Sequence, residues 1–153
     1  MTGFPVPWLL LVLSSLSNGP VNEFELPTTW TKDFKITYSF SGSMDGSRTD
    51  LTFTYDSCNY TNKPGMKAPE TIVFAMTEAY RAEILKKMHE LKVHTIKSHL
   101  RTARVYDGWS TSLSFGDHWI RGGTSAKMND KHEEIFSAAC RYLQDFAAMK
   151  GKK

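Results

Sequence analysis

The sequence is poor in the features that announce chemistry. It contains no Cys-x-x-Cys, no glycine-rich loop of the kind that cradles a phosphate, and no Gly-x-Ser-x-Gly. Ser, His and Asp all occur, but no spacing gathers them into a hydrolytic triad. It also lacks an apolar run of the about 20 residues that a membrane-spanning helix needs. The run from Trp8 to Leu16 is too short, so no membrane span is expected in the mature chain. The net charge is only +3 and is scattered, which argues against a nucleic-acid partner. No cofactor and no metal is expected, and the chain does not read as an enzyme.

Charge is absent from residues 1–22 altogether. A short apolar run in such a segment suits a secretory signal. Ser15 and Ser17 are spaced like a cleavage site, which starts the mature chain at Asn18. Against this stand the missing Lys or Arg before the run and the prolines at 5 and 7; the alternative is a buried N-terminal core segment. The expected organisation is a signal peptide over 1–17, an N-terminal extension over 18–33, one domain over 34–149, and a solvated basic tail over 150–153. A chain of 153 residues is long enough for one proper core.

Only two cysteines are present, Cys58 and Cys140. In the oxidising compartment that export implies, an even count favours a disulfide between them. The alternative is a pair of buried free thiols.

What is there is mainly periodicity. Phe34, Ile36, Tyr38 and Phe40 alternate with polar residues, as do Leu51, Phe53 and Tyr55. Period two means half-buried strands, and Asp45-Gly46 between them suits a two-residue hairpin turn. That register sets Phe40 against Leu51, Tyr38 against Phe53 and Ile36 against Tyr55. Residues 57–69, with Asn59, Asn62, Pro64, Gly65 and Pro69, read as a loop. Thr71–Met76 reads as a strand, and Thr77 as the N-cap of a helix from Glu78 to about Leu91. Val93–Ser98 carries a weak strand pattern. Trp109, Thr111, Leu113 and Phe115 alternate with serines, turn at Gly116-Asp117 and return through His118–Arg121, with Leu113 opposite Ile120 and Phe115 opposite His118. A last helix starts near Asn129 or Asp130 and shows a stripe of Ile135, Phe136, Ala139, Cys140, Leu143, Phe146 and Ala147. The order β-β-β-α-β-β-β-α predicts an α+β fold: a mainly antiparallel sheet of two hairpins plus short strands, with both helices packed on one face.

Three motifs invite a functional reading and fall short of one. His89-Glu90 and His94 approximate the zinc-protease pattern, but a fifth-position His lies about 140° round a helix from the first. Asp45 and Asp50 could flank a cation, yet the turn explains Asp45. Asn59-Tyr60-Thr61 fits the glycosylation acceptor pattern, which matters only in a host that has the machinery. The informative surface is the outward face of the hairpins. Thr37, Ser39, Ser41, Thr52 and Thr54 line the first; Ser110, Ser112, Ser114, Trp119 and Arg121 line the second. A Ser/Thr face is ordinarily the wet side of a sheet. A Trp beside an Arg on that face is a contact candidate, because both are enriched at binding hot spots. Trp109 and Trp30 read as core or core-edge residues.

The order of elements resembles small secreted or lipoprotein-type bacterial domains of unassigned role. More loosely it is similar to the emfourin-type inhibitors of thermolysin-like metalloproteases. The residues that carry the likeness are Phe34 to Tyr55, Met76-Thr77-Glu78 opening a helix with Ile84-Leu85, the Tyr106 to Ile120 strands, and the final helix from Asp130. Emfourin-like domains tend to carry a glycine pair in the first hairpin, where this chain has Ser41-Gly42-Ser43, so no inhibitory residue carries over. The resemblance implies a non-catalytic, protein-binding role. The expectation is therefore an exported, periplasmic or secreted, binding domain, possible as an inhibitor of a secreted protease, with Trp119, Arg121, Ser112 and Ser114 as its contact face. The alternative is a structural or envelope-associated domain without a discrete ligand.

Overall fold

The computed structural model describes residues 24–42, 44–100, 108–124 and 126–152. The segment expected to be a signal peptide lies outside them. The elements are β1 (Ile36–Gly42), β2 (Arg48–Phe53), β3 (Ser57–Lys63), β4 (Glu70–Ala75), α1 (Glu78–Leu91), a 3-10 turn (Val93–Thr95), β5 (His99–Leu100), β6 (Trp109–Phe115), β7 (His118–Gly123), β8 (Ala126–Lys127) and α2 (Asp130–Lys150). Six strands form one antiparallel sheet in the order β4-β3-β2-β1-β6-β7, and β5 pairs with β8 in a small ribbon. Both helices lie on the same face, so the α+β class read from the periodicity holds.

The alternation of each strand decides which face meets the helices. Ile36, Tyr38, Leu51, Phe53, Cys58, Leu113, Phe115 and Ile120 are all buried on it. α2 crosses this face diagonally. Near its start Phe136 packs onto Gly122 of β7, where a Cβ would meet the ring at 2.5 Å. Phe146 meets Phe53 of β2 edge-on at 5.9 Å, and beyond its end Gly151 sits on Ile72 of β4. A helix of 21 residues is about 31 Å long, and five strand spacings are about 24 Å, so α2 is just long enough to cross from one edge strand to the other. α1 touches α2. Tyr80 of α1 stands edge-on between Phe74 and Phe146, and Arg81 lies over the Tyr55 ring at 3.9 Å.

Local signals set the ends of both helices. Thr77 Oγ1 accepts the Tyr80 N–H at 3.1 Å, and Asn129 Oδ1 accepts the His132 N–H at 2.8 Å. Lys92 takes a left-handed conformation with φ of 58° and closes α1. The expected strand at Val93–Ser98 is instead the 3-10 turn. Val93 and Ile96 are both buried; a spacing of three puts both inward on a 3-10 turn, whereas a strand would send them to opposite faces.

The second hairpin has the expected register, Leu113 opposite Ile120 and Phe115 opposite His118. The first does not. Ile36 faces Phe53, Tyr38 faces Leu51 and Phe40 faces Thr49, a shift of two residues that keeps the same face inward. The Gly42 N–H donates to the Ser47 carbonyl at 2.9 Å, so the connection is a four-residue loop rather than a two-residue turn. Asp45 stabilises it by accepting from the Ser47 N–H and hydroxyl, and Gly46 supplies the positive φ of 71°. The expected 57–69 loop is also corrected. Its first half is β3, paired on both sides, with Cys58 and Tyr60 turned inward and Asn59 and Thr61 outward. Asn and Ser are weak strand formers, and two flanking strands override that preference.

The ends of the domain are less separate than the sequence implies. Leu26 and Trp30 are buried in the core, and Trp30 Nε1–H donates to the Phe34 carbonyl at 2.8 Å. At the other end Lys150 is not a free solvated charge. Its Nζ lies 3.5 Å from Glu83 Oε2 and 4.8 Å above the Tyr80 ring.

Candidate binding face

The sheet face away from the helices is assembled from rows that run across all six strands. One row reads Trp119, Ser114, Thr37, Thr52, Asn59 and Val73. The next reads Arg121, Ser112, Ser39, Asp50, Thr61 and Thr71. Cross-strand hydroxyls bond one another. Thr37 Oγ1 and Ser114 Oγ are 2.5 Å apart, Ser39 Oγ and Ser112 Oγ 2.7 Å, and Thr61 Oγ1 and Thr71 Oγ1 3.1 Å. Ser114, between Trp119 and Thr37, is fully buried. The hydroxyls thus satisfy one another and form a firm floor, which puts the burden of any contact on the side chains that rise from it.

Two large apolar side chains rise from this face, one at each edge: Val73 is 62% exposed and Trp119 60%. Trp119 has Arg121, also exposed, two residues along the same strand. Beside them is a crevice of about 250 Å³ lined by Ile96, Lys97, Ser98, His99, His118, Trp119 and Ile120. The Ser98 hydroxyl donates to the Arg121 carbonyl and ties the crevice wall to β7. The structure therefore gathers all four expected contact residues, Trp119, Arg121, Ser112 and Ser114, on adjacent strands: two project and two form the floor.

His118 points the other way, toward the core. Its ring stacks on Phe24 with centroids 4.0 Å apart, and burial pulls its pKa below the usual histidine value. Asp117 is exposed in the turn. His89 is tied to the N-terminal segment, its Nε2 3.0 Å from the Pro27 carbonyl. Among the described residues no group of three His, Cys, Asp or Glu side chains is placed to hold a metal ion. None of the helices among them is long and apolar enough to cross a membrane.

The cysteines do not pair. Cys58 and Cys140 are buried free thiols, in place of the expected disulfide. Cys58 is on β3, between Phe53 and Phe74 in its row. Cys140 is on α2 and faces Tyr38 of β1 across a cavity. The two thiols sit in different parts of the core, Cys58 on β3 and Cys140 beside Tyr38 of β1, with β2 between those strands. Burial pushes each thiol up to about 12.

That cavity, about 380 Å³, opens on the helix side of the sheet between α2 and the row of Phe40 and Thr111. Trp109 and Phe40 wall it, and Arg141, Gln144 and Asp145 reach it from α2. Trp109 is 46% exposed, a rim residue rather than a core one. The sequence reading missed the α2 contributors. They lie next to the apolar stripe, four or five positions from Phe136 and Cys140, and the helical spacing alone marks them as flanking it. No protein-family model matches this chain, and no curated protein matches it.

Proposed function

We propose that this protein is an exported, non-catalytic binding domain whose contact face is centred on Trp119 and Arg121. The observation that carries this reading is the exposure of Trp119. A large aromatic standing 60% open on an otherwise hydroxyl-lined face costs hydration and adds nothing to the core. Its burial against a partner returns that cost, and the rigid floor of Ser112 and Ser114 means little ordering is lost on contact. Indole beside guanidinium suits a protein surface that offers an apolar recess next to a carboxylate. Inhibition of a secreted protease is the narrower form of this reading.

The test is a capture experiment. The mature domain is immobilised, exported and envelope proteins of its source are passed over it, and the Trp119→Ala/Arg121→Ala variant is run beside it. A partner retained by the parent and lost by the variant is the expected result. A second reading, a structural or envelope-associated domain without a discrete ligand, is favoured by the self-satisfied hydroxyl ladder. Retention of the same proteins by both forms, or of none by either, selects it.

A further inference from the structure

The two edges of the large sheet are finished differently. At β7 the ribbon strand β8 lies close by, Ser98 bonds the Arg121 carbonyl and Arg121 itself adds an exposed charge. Among the described residues β4, the opposite edge, is paired on its β3 side only. From residue 71 to 75 it reads Thr-Ile-Val-Phe-Ala, strong strand formers without a proline or a charge. Edge strands are normally blunted by one or the other. On the outward face Thr71, Val73 and Ala75 are all exposed.

We infer that β4 is an association edge, and that its partner is β4 of a second copy, paired antiparallel across a twofold axis. Antiparallel self-pairing centred on Val73 sets Val73 opposite its twin, Thr71 opposite Ala75 and Ile72 opposite Phe74, all neutral, and holds the two Glu70 carboxylates at opposite ends. It also brings the start of one strand beside the end of the other. Lys63 and Lys67 flank the start, and Asp56 and Glu78 flank the end, so the charges that meet there are largely opposite. Because β7 is dressed, each copy presents one open edge among its described residues, and association closes at a pair rather than growing into a fibre. This inference does not rest on the binding role proposed above. Trp119 is on the far edge of the sheet, so pairing leaves it free.

Sedimentation equilibrium of the purified chain over about 1 to 100 µM tests it. The expected result is a mass moving from one chain to two. Val73→Lys and Val73→Glu, each set near its own twin across the axis, are expected to weaken the pair by about tenfold or more. Val73 is exposed, so the fold tolerates both. An equimolar mixture of the two variants is expected to pair again, Lys against Glu. A single-chain mass for the parent throughout, a Val73→Lys dimer as tight as the parent's, or a mixture that stays monomeric overturns the inference.

Discussion

At the scale of single residues, burial decides chemistry more than identity does. Cys58 and Cys140 are the only thiols in the chain, and each is held in the core with its pKa pushed up to about 12. The cause is desolvation, which disfavours the thiolate. With so little thiolate at neutral pH, the native protein is expected to react with a thiol reagent at pH 8 orders of magnitude more slowly than a free cysteine. Unfolding in denaturant without reductant is expected to release two reactive thiols per chain. Rapid reaction of the native protein places the thiols outside the core, and no thiol after unfolding restores the disulfide. The same principle separates the serines of the second hairpin. Ser114 is buried with its hydroxyl bonded to Thr37, whereas Ser110 is exposed, though both occupy outward positions in one alternating run.

At the scale of elements, short signals in the chain set boundaries and neighbours set register. The cap of α1 was legible at Thr77, and the start of α2 was legible to within one residue; in the structure Thr77 and Asn129 each satisfy a first-turn N–H that otherwise has no partner. Thr77→Ala and Asn129→Ala are each expected to cost about 1 kcal/mol in urea unfolding, and Thr77→Ser much less. No change in either would remove the side-chain cap as the cause of the helix start. The first hairpin shows the limit of local reading. Asp45-Gly46 marks a turn correctly, but a two-residue and a four-residue connection keep the same apolar face and differ only in which polar pairs meet. Pairing of β1 with β6 on its other side fixes Tyr38 against both Leu51 and Leu113, and that constraint lies outside the hairpin. β3 is the stronger case, since a segment of Ser, Asn and Thr becomes an interior strand only because β2 and β4 supply ladders on both sides.

At the scale of the whole molecule, the N-terminal segment belongs to the cooperative core. Trp30 is 4% exposed and Trp119 60%, so the two tryptophans separate packing from surface. Trp30→Ala is expected to destabilise by about 3–5 kcal/mol, and Trp119→Ala by no more than about 0.5 kcal/mol, in equilibrium unfolding followed by circular dichroism. Equal costs would contradict the placement of residues 24–34 against the sheet. The amino-acid sequence by itself determined the strands of both hairpins, the two helices with the cap at Thr77, the α+β class and the outward position of Trp119, because each follows from periodicity and from contacts close along the chain. Only the tertiary structure decided that β3 is a strand, that Cys58 and Cys140 stay apart, that α2 crosses from β7 to β4, and that among the described residues β4 has a strand on one side only while β7 is dressed. Those depend on which distant strands become neighbours, and the energy that selects them comes from burying whole faces together rather than from any local preference.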